Sequence, residues 1–558
     1  MAREISDTMR IALAQLNPVV GDLAGNARRA RDARRSAAKE KADLVVFTEL
    51  FITGYPPEDL ILKPAFVRAA RKIVEELAGD TSDGGPAMLV GTPWEEDGKV
   101  YNAVALLDGG AVSAVRYKAD LPNYGVFDEK RVFSAGPMPG PLNFGGVRIG
   151  VPICEDIWSE EVCECLAETG AEMLIVPNGS PYSSGKMDIR INLTAARVAE
   201  NSIPLVYVNQ YGGQDELVFD GASFVLNADS SLSAQMPAWR EEIAVTEWTR
   251  SENGWSCRKS ELAVIEEADE ADYMACVTGL RDYVGKNSFP GVVLGLSGGI
   301  DSALCAAMAV DALGADKVHC VMLPFVYTSN ESLSDAAACA EGLGVRYDIL
   351  PIHEPVEGLL ESLGPVFNDL PVNTAEENVQ SRTRGTMLMA ISNKLGTMLI
   401  TTGNKSEVSV GYATLYGDMN GGFNPIKDLY KTQVYALSKW RNEHLPPGAL
   451  GPKGIVIPAN IISKAPTAEL KAGQKDQDSL PPYDVLDDIL ECLVDNEMPL
   501  GDIVARGHDA DIVFAVERLL YLAEYKRRQS APGVKITQKL FGRDRRYPIT
   551  NMFREKSG

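Results

Sequence analysis

The chain has 558 residues, of which 45% are hydrophobic and 23% charged, an ordinary globular balance spread over roughly two to four domains. Its net charge of −23, from 54 basic and 77 acidic residues, argues against a general nucleic-acid binder, which needs a basic face for phosphates. No run of about 18 apolar residues suggests a membrane span, and residues 1–15 lack the basic start and apolar run of a secretory leader.

The nine cysteines are odd in number, scattered and without a CxxC pair, which points to reduced thiols, a cytoplasmic location and no zinc site. The four histidines begin at His319. Any catalysis in the first 318 residues must therefore proceed without imidazole, which excludes Ser-His-Asp and Cys-His machinery there.

In chain order, residues 10–16 read as a strand and 25–42 as a solvated helix. Residues 43–50 (DLVVFTEL) read as a buried strand ending in Glu49. Segments 100–107 and 111–118 flank Asp108-Gly109-Gly110, a hairpin signal. Strands follow at 147–154 (VRIGVPIC), 172–177 and 205–210, with a helix at 192–201. Mixed hairpins and helices of this kind predict a layered α/β sandwich. Charge-rich residues 240–272 read as the end of this domain, set at residues 1–245, and a linker over 246–272. From 273 to 558 the pattern becomes strand-turn-helix repetition, with strands at 292–296, 319–323 and 346–351, as in a doubly wound parallel sheet.

Glu49, Lys118 and Cys154 sit at the ends of apolar runs in the first part. A carboxylate that takes a proton, a cation that lowers a thiol pKa, and the thiol itself suffice for acyl transfer. Lys118 and the Glu155 N–H are suited to an oxyanion. Residues 8–245 resemble the nitrilase, or carbon–nitrogen hydrolase, family through FTEL, RYKADLPNYGVFDEKRVF and VPICEDIW, in the family order Glu, Lys, Cys. The resemblance implies a four-layer α-β-β-α sandwich, with Glu49 as general base, Lys118 as oxyanion stabiliser, Cys154 as nucleophile and Glu129 beside the lysine. CEDIW and NGSPY are closer to the glutaminase domains of glutamine-dependent NAD synthetases, which implies glutamine-binding roles for Tyr124, Glu155, Ser180 and Lys186. Gly179 stands where that family commonly has a small residue such as Ala, with no consequence expected.

Residues 291–302 (GVVLGLSGGIDS) place a glycine pair between an apolar strand and an Ala-rich helix, where backbone N–H groups approach phosphate oxygens. No GKS or GKT follows, so this is not a Walker loop. SGGIDSA resembles the ATP pyrophosphatases, which adenylate a substrate and release pyrophosphate. Residues 273–546 are similar to NAD synthetases. That resemblance implies ATP contacts at Gly295, Leu296, Ser297, Gly298, Gly299, Ile300, Asp301, Ser302, Leu323, Thr402, Lys431 and Thr467, with Lys405 a weaker candidate. It implies deamido-NAD contacts at Asn378, Arg382, Glu407 and Lys526, and Mg²⁺ on Asp301 and Glu407. Thr374 to Glu377 read as a capping box, and 412–423 as a mobile Gly-rich cover. Eight basic residues against Asp544 over 526–546 suggest either a solvated face or a meeting point for dinucleotide phosphates.

Together these readings imply glutamine hydrolysis feeding ammonia to adenylated deamido-NAD⁺, in a homo-oligomer without nucleic-acid or membrane partners. The alternatives are another ATP-pyrophosphatase amidotransferase, or a synthetase whose first domain is a non-catalytic scaffold.

Overall fold

The computed structural model describes residues 6–368 and 370–555. The chain divides into two compact units, Met1–Glu266 and Glu267–Gly558.

The first unit holds two main sheets. One has seven strands in the order Gly254–Cys257, Glu242–Ser251, Thr8–Gln15, Leu44–Val46, Ala87–Glu96, Lys99–Asp108, Ala111–Tyr117. The other has six, in the order Leu232–Gln235, Phe224–Leu226, Leu205–Asn209, Met173–Asn178, Val147–Gly150, Leu142–Phe144. Period-two alternation explains the layering. Met9, Ile11 and Leu13 point inward to meet Ile149, Ile175 and Val206 of the other sheet. Between them, Ala12 and Ala14 face Ala30, Ala33 and Ala37 of helix Leu23–Lys39 and Val74 and Leu77 of helix Pro64–Asp80. On the far side Leu174 and Val176 pack on Val162 and Leu166 of Glu161–Glu168 and Val198 of Lys186–Asn201. The result is helix, sheet, sheet, helix, the expected sandwich. The expected hairpin closes through Gly109 and Gly110, at φ +60° and +88°.

The assignment of 246–272 to a linker needs correction. Glu242–Ser251 pairs antiparallel along the whole of Thr8–Gln15, from Thr8 opposite Thr249 to Gln15 opposite Glu242, and Gly254–Cys257 extends the sheet. Trp248 and Trp255 are buried, whereas Glu247 and Arg250 are far less covered. The charges belong to the outer face of two strands near the sheet edge, and they masked an inward apolar set. The second unit opens at helix Ala268–Lys286, a few residues earlier than expected.

That unit has a four-stranded, all-parallel sheet in the order Arg346–Ile349, Val318–Met322, Val292–Gly295, Met398–Ile400. Its central strands are covered on both faces, so they read as apolar runs broken only by His319. Strand order reverses between Val292–Gly295 and Met398–Ile400, and a crevice is expected beyond the carboxyl ends of strands at such a point. Helix Thr374–Leu395 does begin with a capping box, but one residue upstream of the expected one. Asn373 Oδ1 accepts from the Ala375 N–H and Glu376 accepts from the Asn373 N–H, each at 2.8 Å. Asn is the better cap because it suits the extended backbone before the helix.

Candidate active sites

In the first unit all three expected residues lie in loops just past strands shorter than the apolar runs. Glu49 follows Leu44–Val46, Lys118 follows Ala111–Tyr117, and Cys154 follows Val147–Gly150. Cys154 opens a short 3₁₀ turn, Cys154–Ile157, with φ +48°. A non-glycine residue in that region carries about 1–2 kcal/mol of strain, a feature that gathers at active sites.

Lys118 is fully buried, and its Nζ donates to Glu49 Oε1 at 2.7 Å and to both oxygens of Glu129 at 3.0 Å. Burial alone would lower the lysine, but Glu129 and Glu49 outweigh it and hold the ammonium charged well beyond the ordinary range. Burial raises Glu129, with Lys118 opposing. The Gly179 N–H donates to Glu49 Oε2 at 3.0 Å and also interacts with Cys154, so base and thiol share one backbone donor. Burial and then the Glu49 charge push the Cys154 thiol well up, while Lys118 pulls it down. The resting thiol is therefore protonated, within electrostatic reach of the Glu49 carboxylate.

Residues with no outstanding sequence signal complete the frame. The Tyr55 hydroxyl donates to Glu129 at 2.9 Å. Asn102 Nδ2 donates to Glu49 at 2.7 Å and to Glu129 at 3.3 Å. Asp156, buried and raised by burial to about 7, accepts the backbone N–H groups of Ile153, Ala119 and Asp120, tying the Cys154 turn to the segment after Lys118. Asn102 had one readable sign, a polar residue inside the apolar strand YNAVALL.

The expected glutamine contacts surround this core. The half-exposed Tyr124 donates to Glu155 at 3.0 Å, and burial raises the Glu155 carboxyl, with Tyr124 and Lys186 among the groups opposing. Lys186 begins helix Lys186–Asn201. Ser180 is held by Arg190, which donates to its Oγ at 3.2 Å and its carbonyl at 2.8 Å while pairing with Asp220 at 2.7 and 2.8 Å. Gly179 does have a consequence: an added Cβ would lie 2.8 Å from the Tyr55 ring and 3.1 Å from Glu49 Oε2.

In the second unit the switch point opens into a cavity of about 310 Å³. Gly295, Leu296, Ser297, Gly299, Ile300, Asp301, Ser302, Leu323, Thr402, Glu407, Lys431 and Thr467 line it, with Gly298 as the bend behind at φ +78°. The loop braces itself: Ser297 Oγ accepts from the Gly299 N–H at 3.2 Å and Ser302 Oγ donates to the Gly299 carbonyl at 3.0 Å. Helix Ile300–Leu313 has no side-chain cap, so its first N–H groups are available to an anion.

Lys431 Nζ donates to Asp301 at 2.5 Å and Glu407 at 3.0 Å. Asn404 Nδ2 steadies the other Asp301 oxygen at 2.8 Å. Burial raises Glu407 to about 7, with Lys431 opposing. Two carboxylates converging on one cationic centre fit Mg²⁺, which takes its remaining ligands from phosphates and water. Among the described residues no group of three or more metal-ligating side chains forms a complete protein cage.

Asn378, Arg382 and Lys526 are absent from that lining and instead converge on the segment that walls it. Thr414 Oγ1 donates to Asn378 at 3.0 Å, Arg382 Nε to the Leu415 carbonyl at 3.1 Å, and Lys526 Nζ to the Gly411 and Ala413 carbonyls at 2.7 Å. Arg384, which lines the cavity, donates through Nε to the Leu323 carbonyl at 2.9 Å.

Two sequence readings are corrected here. Lys405 serves the fold: it is fully buried against Asp428 at 3.0 Å and Asp495 at 3.2 Å. Much of the basic tail is paired internally. Arg527, Arg528 and Arg545 meet Glu524, while Lys535 meets Asp544 and Lys539 meets Glu497. Glu524 and Asp544 are local to the run, and Glu497 comes from outside it.

The carbon–nitrogen hydrolase family model matches residues 10–254 and the NAD synthase model residues 273–530. The chain is 51% identical over 553 residues, 99% of its own length and all of the other's, to a glutamine-dependent NAD(+) synthetase of Rhodobacter capsulatus. It resembles the solved structure of such a synthetase from Acinetobacter baumannii in complex with ADP, with TM-score 0.78, 41% identity, and 99% and 100% of the two chains covered. A structure from Cytophaga hutchinsonii, at 24% identity and TM-score 0.82 over 98% of each chain, shares the fold. The histidine-free Glu-Lys-Cys arrangement and the glycine loop thus occur together in one full-length pattern, and the chain belongs to the glutamine-dependent NAD(+) synthetase family.

Proposed function

We propose that the chain makes NAD⁺ from deamido-NAD⁺, ATP and glutamine. The observation that carries the glutaminase half is the buried, imidazole-free cluster in which Lys118 reaches Glu49 at 2.7 Å and Glu129 at 3.0 Å, with Cys154 on the same backbone donor as Glu49. Glu49 takes the Cys154 proton as the sulfur attacks the glutamine side-chain amide. Lys118 and the Glu155 N–H stabilise the oxyanion, and Glu49 returns the proton to the departing nitrogen. Ammonia leaves, and water hydrolyses the thioester to glutamate. Tyr124, Glu155, Ser180 and Lys186 hold the amino-acid end of glutamine.

In the second unit, ATP lies on the 295–302 loop, with Lys431, Thr402 and Thr467 toward its phosphates. Oxide is too poor a leaving group for direct amidation of a carboxylate, so the nicotinate carboxylate attacks the α-phosphorus and pyrophosphate leaves. Ammonia then attacks the acyl-adenylate and AMP leaves. Asp301 and Glu407 would hold Mg²⁺, which neutralises charge on the departing pyrophosphate. Asn378, Arg382, Glu407 and Lys526 bind the dinucleotide, partly through the 411–418 wall. We carry over the homo-oligomeric state, checked by particle mass in light scattering, and the cytoplasmic location. No helix among the described residues is long and apolar enough to cross a membrane.

The test supplies deamido-NAD⁺, ATP and Mg²⁺ with either glutamine or ammonium. Cys154→Ala abolishes glutamine-driven NAD⁺ formation and spares the ammonia-driven reaction, whereas Asp301→Ala removes both. Glutamine-driven synthesis surviving Cys154→Ala refutes the nucleophile.

A further inference from the structure

One fully buried side chain in the first unit touches both carboxylates of the glutaminase cluster. Asn102, inside strand Lys99–Asp108, is 0% exposed. Its Nδ2 carries two hydrogens, one aimed at Glu49 Oε1 at 2.7 Å and the other at Glu129 Oε2 at 3.3 Å. Its own carbonyl accepts the Lys118 N–H at 2.8 Å. One residue thus fixes the backbone of the ammonium and the head groups of both acids. Its Oδ1 is buried without a partner, a cost that a freely chosen orientation would avoid. Turning the amide over would set Oδ1 against two carboxylate oxygens, so the orientation follows from the charges around it.

The electrostatic need is plain. Lys118 is one cation facing two acids, Glu49 and Glu129, in a space lined also by Tyr55, Cys154, Glu155 and Asp156. The amide adds two donors and no charge, offsetting the repulsion between two carboxylates that one ammonium leaves incompletely balanced. It also occupies Glu49 Oε1 together with Lys118, leaving Oε2 as the oxygen that shares the Gly179 N–H with Cys154.

We propose that Asn102 is a positioning residue for glutamine hydrolysis, holding the Glu49 carboxylate turned so that Oε2 takes the Cys154 proton. The proposal rests on the glutaminase reading given above. In the full chain, Asn102→Asp adds a third acid at the same place, and Asn102→Leu removes both donors without adding charge. Both lower kcat for glutamine hydrolysis about 10- to 100-fold near neutral pH, up to the lower end of what a positioned base contributes. KM for glutamine changes much less, so the loss falls on kcat. Ammonia-driven NAD⁺ formation continues. The proposal is overturned if both variants keep the wild-type kcat, or if KM for glutamine rises as much as kcat falls. Loss of both activities in both variants also overturns it, since Asn102 would then serve the fold. Wild-type chain that releases no ammonia from glutamine refutes the glutaminase reading itself.

Discussion

Replacing Gly298 with alanine tests whether the 295–302 loop is a nucleotide cradle. Gly298 bends the chain at φ +78° with its α-carbon against the start of helix Asn330–Leu343. A Cβ there would lie 2.4 Å from the Ser332 carbonyl oxygen and 3.0 Å from its carbonyl carbon and Cα. These are backbone atoms in a helix, so no rotamer change relieves them. The left-handed backbone costs a non-glycine residue about 1–2 kcal/mol. The overpacking adds about 1–3 kcal/mol. The sum, about 2–5 kcal/mol, opposes the conformation that turns the loop N–H groups toward a phosphate. At 1.36 kcal/mol per tenfold, that lowers ATP-dependent turnover by roughly 30- to 5,000-fold. Gly299 gives a contrast in the same loop, for its Cβ would meet only Ser297 Oγ at 3.3 Å. The assay is NAD⁺ and pyrophosphate formation with ammonium as nitrogen donor, alongside glutamine hydrolysis without ATP. Gly298→Ala abolishes or nearly abolishes the first and leaves the second, and Gly299→Ala is the milder change. Full ammonia-driven turnover in Gly298→Ala would refute the cradle.

Further expectations follow from the same contacts. Arg190→Met strips five donor contacts from Ser180, Pro181 and Asp220 and leaves a buried carboxylate unpaired, which costs about 3–5 kcal/mol. Thermal denaturation records a marked loss, and KM for glutamine rises as the Ser180 loop slackens; an unchanged melting point contradicts the pairing. Lys431→Met leaves Asp301 and Glu407 facing each other without their shared cation, so ammonia-driven synthesis collapses while glutamine hydrolysis continues. Asp156 has a folded-state pKa of about 7, above the ordinary carboxyl value, so the folded chain binds its proton more tightly than the unfolded chain. Its contribution to stability is present below about pH 4 and is lost as pH rises toward 7. Melting curves across that window lose this component in Asp156→Asn; an identical pH slope in both proteins would show that Asp156 does not titrate there.

Much of the site was legible because it is carried by local motifs. FTEL, RYKADLP and VPICEDIW each place one functional residue just past an apolar run, and GLSGGIDS announces a strand, a bend and an uncapped helix. What stayed hidden depends on distant pairing. The charges of 246–257 look like linker until Thr8–Gln15 supplies the partner strand that buries Trp248. The basic run from Lys526 reads as either a solvated face or a meeting point for dinucleotide phosphates, and neither reading anticipates its pairing with Glu524, Asp544 and the more distant Glu497. Lys405, the weaker of the two lysine candidates in sequence, is fixed by Asp428 and Asp495, whereas Lys431 faces the cavity beside Asp301.

The two sites solve one electrostatic problem in the same way. Each buries a lysine between two carboxylates: Lys118 with Glu49 and Glu129, Lys431 with Asp301 and Glu407. A buried ammonium with a single acid would be neutral overall and inert toward further cations. With two acids, the cluster keeps a surplus of negative charge that must be shared with something else. In the first unit the Asn102 amide and Tyr55 hydroxyl supply neutral donors to the two acids. In the second, Asn404 donates to Asp301, and the remaining excess suits a divalent cation arriving with the nucleotide. The same charge balance is thus met by protein donors in the first cluster and left open to the cavity in the second.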